Sequence, residues 1–583
     1  MLRRFQQAYA DPEAEVARAL AAGHKPIRTL GFDAPRALLA EAGFQPTRLV
    51  APPLAATPRA DAIMGTAAMR LRGKRLLETL VATVDTQVPV LITAADDEQP
   101  QIFAALRELA RLGEAVPERV HFLDLLHIDR QASRDYDTAR LAQLRAWLGE
   151  GAGCASLGRQ GELLARLAVL RGESRISGAD ALQVIGAAAI LPPEEYNAAL
   201  EAALPLLAAT APLPGKRVFV CGTAHEGLAV YRAIEAAGAV IVGDDHPWGT
   251  PFGDPARKTP RVDSPAEVGA RVAAQVAELQ PDCVLHLAIG GDEAAPWDVA
   301  AIRRALPAVP FAALRCAAEP DESFSDKVSA FLAGRQDTGP APTPASPRPA
   351  PAKPKPAPET RSRKSLTSVA SFNAYQREWF ADVRRQVAEG APFAVVNANA
   401  PQEILRALGI PFVVNQWWAS IVAAKQQSRR YQALLRAHDY PADVEAYSAQ
   451  GLAAAFDDDP GNAPWGGLPK PDFLHAVASS DPTLKLFEYW AAETGADCYV
   501  YERSYDPRPD LFQDWWDRVP QHWDTALEAE RLDLMVAELR EVIARLEART
   551  GRTFSPERFA EVMDLVNEQE DYYRKTRDLI ART

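Results

Sequence analysis

"KRVFVCGTAHEGLAVYRAIEAAGAVIVGDD", residues 216–245, decides the fold class. It reads as a run of continuous apolar residues, a glycine-containing loop, an amphipathic helix and a second apolar run. A strand buried on both faces shows no alternation. Two such strands separated by a helix argue for a parallel pair joined by a crossover. The same pattern recurs on either side. "PVLITAADD" (89–97) runs into the helix "EQPQIFAALRELARL", and "DCVLHLAIGGDE" (282–293) is a buried strand that ends in a glycine loop. Further on, "PFAVVNANAPQEILRALGIPFVV" (392–414) gives strand, corner, short helix and strand. The predicted class is α/β: Rossmann-like parallel-sheet lobes with helical arms, in a duplicated module joined by a Pro-rich linker.

The duplication rests on one corner built twice. "DAPRALLAEAGFQPTR" (33–48) and "NAPQEILRALGIPFVV" (399–414) both open with a small polar residue and Ala-Pro, and both stop their helix at a glycine. The pattern places Pro35 and Pro401 at the first helical position, with Asp33 and Asn399 capping the free N–H groups. Gly43 and Gly409 then end each helix in the left-handed conformation.

The chain divides accordingly. Residues 1–133 are expected to form α/β lobe one of a first module, 134–210 a helical connector and 211–336 α/β lobe two. Residues 337–364 form a Pro-rich linker, 365–524 the α/β lobe of a second module and 525–583 a helical arm. The linker contains "GPAPTPASPRPAPAKPKPAPET" (339–360), which favours extended polyproline geometry and cannot bury a core. In the arm, Gly551 stops one helix and Ser555-Pro556-Glu557 starts the next.

Composition narrows the function. The 583 residues carry 64 basic and 77 acidic side chains, a formal charge of −13, which argues against nucleic acid or an anionic membrane as the main partner. No apolar run is long enough to cross a bilayer or to serve as a secretory signal, so the expected location is cytoplasmic. Five scattered cysteines (Cys154, Cys221, Cys283, Cys316, Cys498) form no C-x-x-C pair.

Several stretches together resemble one family, that of the 2-hydroxyacyl-CoA dehydratase and benzoyl-CoA reductase subunits. "APRALLAEAG" (34–43) is similar to the family's lobe-one helix corner. "RVFVCGTAHEGLAVYRAIEAAGAVIVGDDHPWG" (217–249) is similar to its lobe two. "GIPFVVNQWWASIVAAKQQSRRYQALLRAHDYPADVEAYSAQGL" (409–452) follows the family's "D-x-C-x-Y" segment, and "LPKPDFLHAVASSDPTLKLFEYWA" (468–491) its "C-D" segment. "LEARTGRTFSPERFAEVMDLVNEQ" (546–569) resembles its helical arm. The resemblance implies a coenzyme A thioester as ligand. It also implies an ATP-driven activator as electron donor and a 4Fe-4S cluster held by three cysteines per subunit, which reduces the thioester carbonyl.

Those cysteines are missing. The first module has Phe32, "ADAIMG" (60–65), Ala94-Ala95 before Asp96 and Gly290-Gly291 before Asp292 at the matching places. The second has Glu445 in Asp443-Val444-Glu445-Ala446-Tyr447, and Ser480 before Asp481. Carboxylate and hydroxyl oxygens do not replace soft thiolates on an iron–sulfur cluster. The chain is therefore expected to bind no metal or cofactor itself, with any 4Fe-4S cluster on a partner subunit of the same family. It would be one subunit of a hetero-oligomeric acyl-CoA-processing complex. The alternatives are a non-catalytic structural or regulatory subunit and a redox-independent lyase or thiolytic subunit.

By the family's layout, Glu445, Tyr447 and Asp481 are the candidate catalytic residues, and Gln416, Trp417, Trp418 and Ser480 the candidate substrate contacts. Paired tryptophans can clamp a flat group, and a buried glutamate beside a tyrosine can exchange protons. Three weaker features have plain structural readings. "CGTAHEG" (221–227) lacks the spacing of a dinucleotide loop. His225 and His246 with Asp244 and Asp245 lack metal-ligand spacing. "DWWDRVPQHWD" (514–524) suits a partner surface.

Overall fold

The computed structural model describes residues 1–583 except 52–55, 66–68, 83, 85–87, 152–156, 251, 253–257, 260–261, 336–367, 509–514 and 583. The Pro-rich linker and Cys154 lie outside the described residues.

The protein is α/β, with three four-stranded sheets that are parallel throughout. The first holds β1 (Pro26–Leu30), β2 (Gln45–Arg48), β3 (Val90–Thr93) and β4 (Val120–Leu123). The second holds β5 (Lys216–Gly222), β6 (Ala239–Asp244), β7 (Cys283–Ile289) and β8 (Phe311–Cys316). The third holds β9 (Ala394–Val396), β10 (Phe412–Val414), β11 (Phe473–Val477) and β12 (Asp497–Tyr501). The strand orders are β2-β1-β3-β4, β6-β5-β7-β8 and β10-β9-β11-β12, one topology used three times. Every residue of β1, β3, β6 and β7 is buried, as expected of strands covered on both faces, and β1 buries Arg28 by pairing it with Glu13 at 2.6 Å. In each sheet the chain reverses direction of winding between the first and third strands, which opens a crevice at the carboxyl ends.

The repeated corner is built differently from its expected form. The first helix runs Arg36–Glu41, so Pro35 is its N-cap, and no side chain caps it. Asp33 instead accepts from Thr93 Oγ1 and stands 3.2 Å from His127 Nε2, tying β1 to β3 and β4. The second helix is Glu403–Ala407 with Gln402 as N-cap, again without a side-chain cap, so Pro401 lies before the helix. Gly43 (φ +80°) and Gly409 (φ +67°) do adopt the left-handed conformation after their helices. Ser555 Oγ accepts from Arg558 N and caps the last helix, Pro556–Ile580, after Gly551 at φ +67°.

The third sheet docks against both others. Asp97, after β3, and Asp481, after β11, exchange hydrogen bonds: each backbone N–H donates to the other's carboxylate, at 3.2 and 2.8 Å. A second reciprocal pair lies nearby. Asp124, after β4, accepts from Tyr505 N at 2.6 Å, and Glu502, after β12, accepts from Ile128 N at 2.7 Å. Helix Gln131–Leu148 packs along helix Ala529–Thr550. On the other flank, Lys485 Nζ donates to Asp298 Oδ1 at 2.6 Å and to Asp263 O at 2.7 Å. Tyr489 Oη donates to Trp297 O at 2.7 Å. One apolar core accordingly runs from Val262 and Trp297 beside the second sheet into Phe380, Trp418 and Trp490 around the third.

Candidate functional site

The carboxyl ends of all three sheets meet at one cavity of about 440 Å³. Its walls come from Asp96 and Glu98 after β3, the loop after β5 (Thr223 to Gly227), Ile289 at the end of β7 with Gly290 and Asp292 beyond it, and Asp481 after β11. Helix Leu71–Ala82 adds Arg72 from its first turn, with Arg70 just before it. The position follows from the topology, since open parallel sheets bind ligands at this end. Apolar side chains, among them Val50, Leu71, Leu228, Val230 and Ile289, cover much of the wall.

The charges in the cavity are locked to one another. Arg72 donates to Glu98 at 2.6 Å and to Glu226 at 3.0 Å, joining lobe one to lobe two. Arg70 lies 3.2 Å from Glu98 and 4.0 Å from Asp292. Arg75 reaches Glu319 at 3.2 Å. Burial raises the carboxyl pKa of Glu98, and Arg70 and Arg72 offset that only in part. Burial acts the same way on Glu226, but its direct bonds to Arg72 outweigh it and the net shift is downward. His225 is pushed down to about 4 by burial, against the pull of Glu226, so it is neutral at pH 7. Behind it, His246, Tyr231, Asp244 and Arg171 form a buried chain, with Tyr231 Oη 2.6 Å from Asp244 and 2.9 Å from His246 Nε2.

The residues singled out from sequence fall in three places. Asp481 is 5% exposed and lines the cavity. Ser480 lies on the far side of the Asp97–Asp481 contact, beside a crevice of about 500 Å³ that also holds Phe103, Arg107, Arg503 and Tyr505. Glu445 is half-buried at φ +47°, accepts from Ser480 Oγ at 3.4 Å and raises the carboxyl pKa of Glu293, itself lifted first by burial. Tyr447 is 49% exposed and its hydroxyl donates to Gln416 O at 2.9 Å. Gln416 accepts from Ala398 N at 2.8 Å. Trp417 packs edge-on against Trp379 and beside Phe380 and Trp465, and Trp418 is fully buried against Phe380 and Tyr431. The two tryptophans sit in the first turn of helix Asn415–Ala424 rather than at a strand end. Neither lines the 440 Å³ cavity.

The donor set does not fit an iron–sulfur cluster. Of the four described cysteines, Cys221, Cys283 and Cys316 are strand residues of the second sheet and Cys498 belongs to β12. None of them lines the cavity. Cys221 Sγ faces Leu285 O at 3.8 Å, and burial raises its thiol pKa, which disfavours the thiolate a metal needs. Among the described residues no group of three or more His, Cys, Asp and Glu side chains is gathered to hold a metal ion. Nor is any helix among them long and apolar enough to cross a membrane.

Arg70, Arg72, Glu98 and Glu226 escaped the sequence reading. The available signals were the basic run Arg70-Leu71-Arg72-Gly73-Lys74-Arg75 at a helix start and the acidic run Asp96-Asp97-Glu98 after a strand. Two comparisons with known proteins bear on this site. The family model described as "2-hydroxyglutaryl-CoA dehydratase, D-component" matches residues 34–332 and 397–583, both sides of the linker. The (R)-2-hydroxyisocaproyl-CoA dehydratase alpha subunit of Clostridioides difficile is 22% identical over 205 residues, 35% of this chain and 46% of that protein. The chain thus spans about half the length of the curated relative it matches.

Proposed function

The chain belongs to the 2-hydroxyglutaryl-CoA dehydratase D-component family, and from that premise we propose that it is an acyl-CoA-binding subunit of a dehydratase-type complex. The observation that carries this reading is the 440 Å³ cavity at the carboxyl ends of three parallel sheets, walled by Arg72 and Glu226 from the first module and Asp481 from the second. The thioester's acyl group would lie against Leu71, Leu228 and Ile289. These side chains exclude water, while the Arg72–Glu226 ion pair ties lobe one to lobe two. Asp481 is the candidate proton-handling group inside the cavity, with Glu445 and Tyr447 outside it beside Ser480. Gln416, Trp417 and Trp418 would act on ligand only indirectly, by fixing the loop that carries Tyr447.

On this reading the second module would take the place at the cavity of a separate subunit, since Asp481 lines it from the same chain. The proposed partner is therefore a chain of the same family that faces the third sheet and carries the 4Fe-4S cluster, served by an ATP-driven activator. The cluster would supply single electrons to the thioester carbonyl. Glu445 and Ser480 stand at the positions where the family resemblance sets thiolates, and their oxygen donors support putting the cluster on the partner.

Titration of the purified chain with coenzyme A thioesters tests the binding, and iron and sulfide analysis tests the cluster assignment. The proposal expects saturable one-to-one binding and substoichiometric iron. Absence of binding, or a full-occupancy cluster in the single chain, overturns the corresponding half. Glu445→Ala in the reconstituted complex separates catalysis from scaffolding: unchanged turnover removes Glu445 from the chemistry.

A further inference from the structure

We infer that the cavity selects an apolar acyl group and rejects one that carries a distal carboxylate. This rests on the thioester reading above and specifies its substrate class. Four arginines at the wall (Arg70, Arg72, Arg75, Arg232) face six carboxylates (Asp96, Glu98, Glu226, Asp292, Glu319, Asp481), so the lining is net negative. Arg70, Arg72 and Arg75 already have carboxylate partners at 2.6–3.2 Å. Arg232 lies on the exposed flank of helix Leu228–Ala236, at the mouth, where water competes for it. A second carboxylate on the ligand would find Arg70, Arg72 and Arg75 already paired, with only the solvent-exposed Arg232 left among the described cations of the wall, and would repel Glu98 and Asp292.

The apolar part of the lining offers what an alkyl chain needs. Val50, Leu71, Leu228, Val230 and Ile289 face the same space, and Leu71 is 42% exposed at its lip. An apolar chain of four or five carbons buried there gains from each methylene, whereas a carboxylate loses its hydration without a paired donor.

The test is equilibrium titration of the full chain with hexanoyl-CoA, 4-methylpentanoyl-CoA, glutaryl-CoA and coenzyme A alone, repeated with Leu71→Lys. The two apolar thioesters should bind at least about tenfold tighter than glutaryl-CoA, as several buried methylenes against one unpaired charge require. Leu71→Lys, which adds an unpaired cation at the lip, should shrink that ratio severalfold. Equal or tighter binding of glutaryl-CoA overturns the selectivity and leaves the thioester reading intact. So does an affinity for acyl-CoA no greater than for coenzyme A. No binding by any of the four overturns both.

Discussion

Replacing Lys485 by methionine probes the docking of the second module on the first. Lys485 is 2% exposed, and its ammonium donates to Asp298 Oδ1 at 2.6 Å and Asp263 O at 2.7 Å, both from the second lobe of the first module. Methionine keeps most of the aliphatic stem, so the loss is electrostatic rather than a void. Breaking one side of a buried pair costs about 3–5 kcal/mol, because the remaining charge stays desolvated. The pH dependence gives a second handle. Burial raises the Asp298 carboxyl from 3.8 to about 6, and Lys485 opposes that rise. A folded-state pKa above the unfolded one means that the native state binds the extra proton. Its stabilising contribution is complete below about pH 4 and is lost as pH rises through 6, by about 3 kcal/mol in total. Without the lysine the loss continues to higher pH, so Lys485→Met should cost little at pH 5 and about 3–5 kcal/mol at pH 8. A chain with several cooperative units has no single unfolding free energy. The assay is therefore native-state hydrogen exchange in helix Thr483–Thr494, which reads local opening. Lys485→Met combined with Asp298→Asn should recover most of the loss. A cost below about 1 kcal/mol at pH 8, or one independent of pH, would show that the Lys485–Asp298 pair does not hold the second module in place.

Arg72→Met should abolish thioester binding and lower the thermal midpoint. It leaves Glu98 and Glu226, 3% and 6% exposed, facing each other without their shared cation. Glu226→Gln in the same chain should restore part of the stability without restoring binding, which calorimetry and titration would separate. Glu538→Gln should flatten the pH profile of stability between about 4.5 and 7. Burial lifts this carboxyl to about 7 despite its bonds to Glu502 N and Arg130, so the native protein favours its protonated form and loses stability as pH rises through that window. An unchanged slope in thermal midpoints across pH 4.5–7 would show that Glu538 titrates normally.

What the sequence made legible, and what it hid, follows from the range of the forces involved. The parallel sheets were readable because burial on both faces leaves a continuous apolar run, as in β3, β6 and β7, and the glycine stops were readable because only backbone conformation is at stake. The corner at 33–48 was misread in detail. The carbonyl of Pro35 accepts from Leu39 N, so the proline sits one position earlier, and Asp33 is drawn off by Thr93 and His127 from distant strands. The cavity was hidden for the same reason. Arg72 and Glu226 are 154 residues apart, and nothing local marks either as half of an ion pair. Trp417 and Trp418 drew attention by their chemistry, yet a helix begins at Asn415 immediately after β10 and turns Trp418 into the core.

On the proposal above, one chain builds the thioester site from both modules. Crystallography of the full chain saturated with a non-hydrolysable hexanoyl-CoA thioether tests it most directly. The acyl chain is predicted between Leu71, Leu228 and Ile289, with Asp481 in contact with the ligand. Ordered ligand elsewhere on the protein, or an empty cavity at saturating ligand, would contradict it.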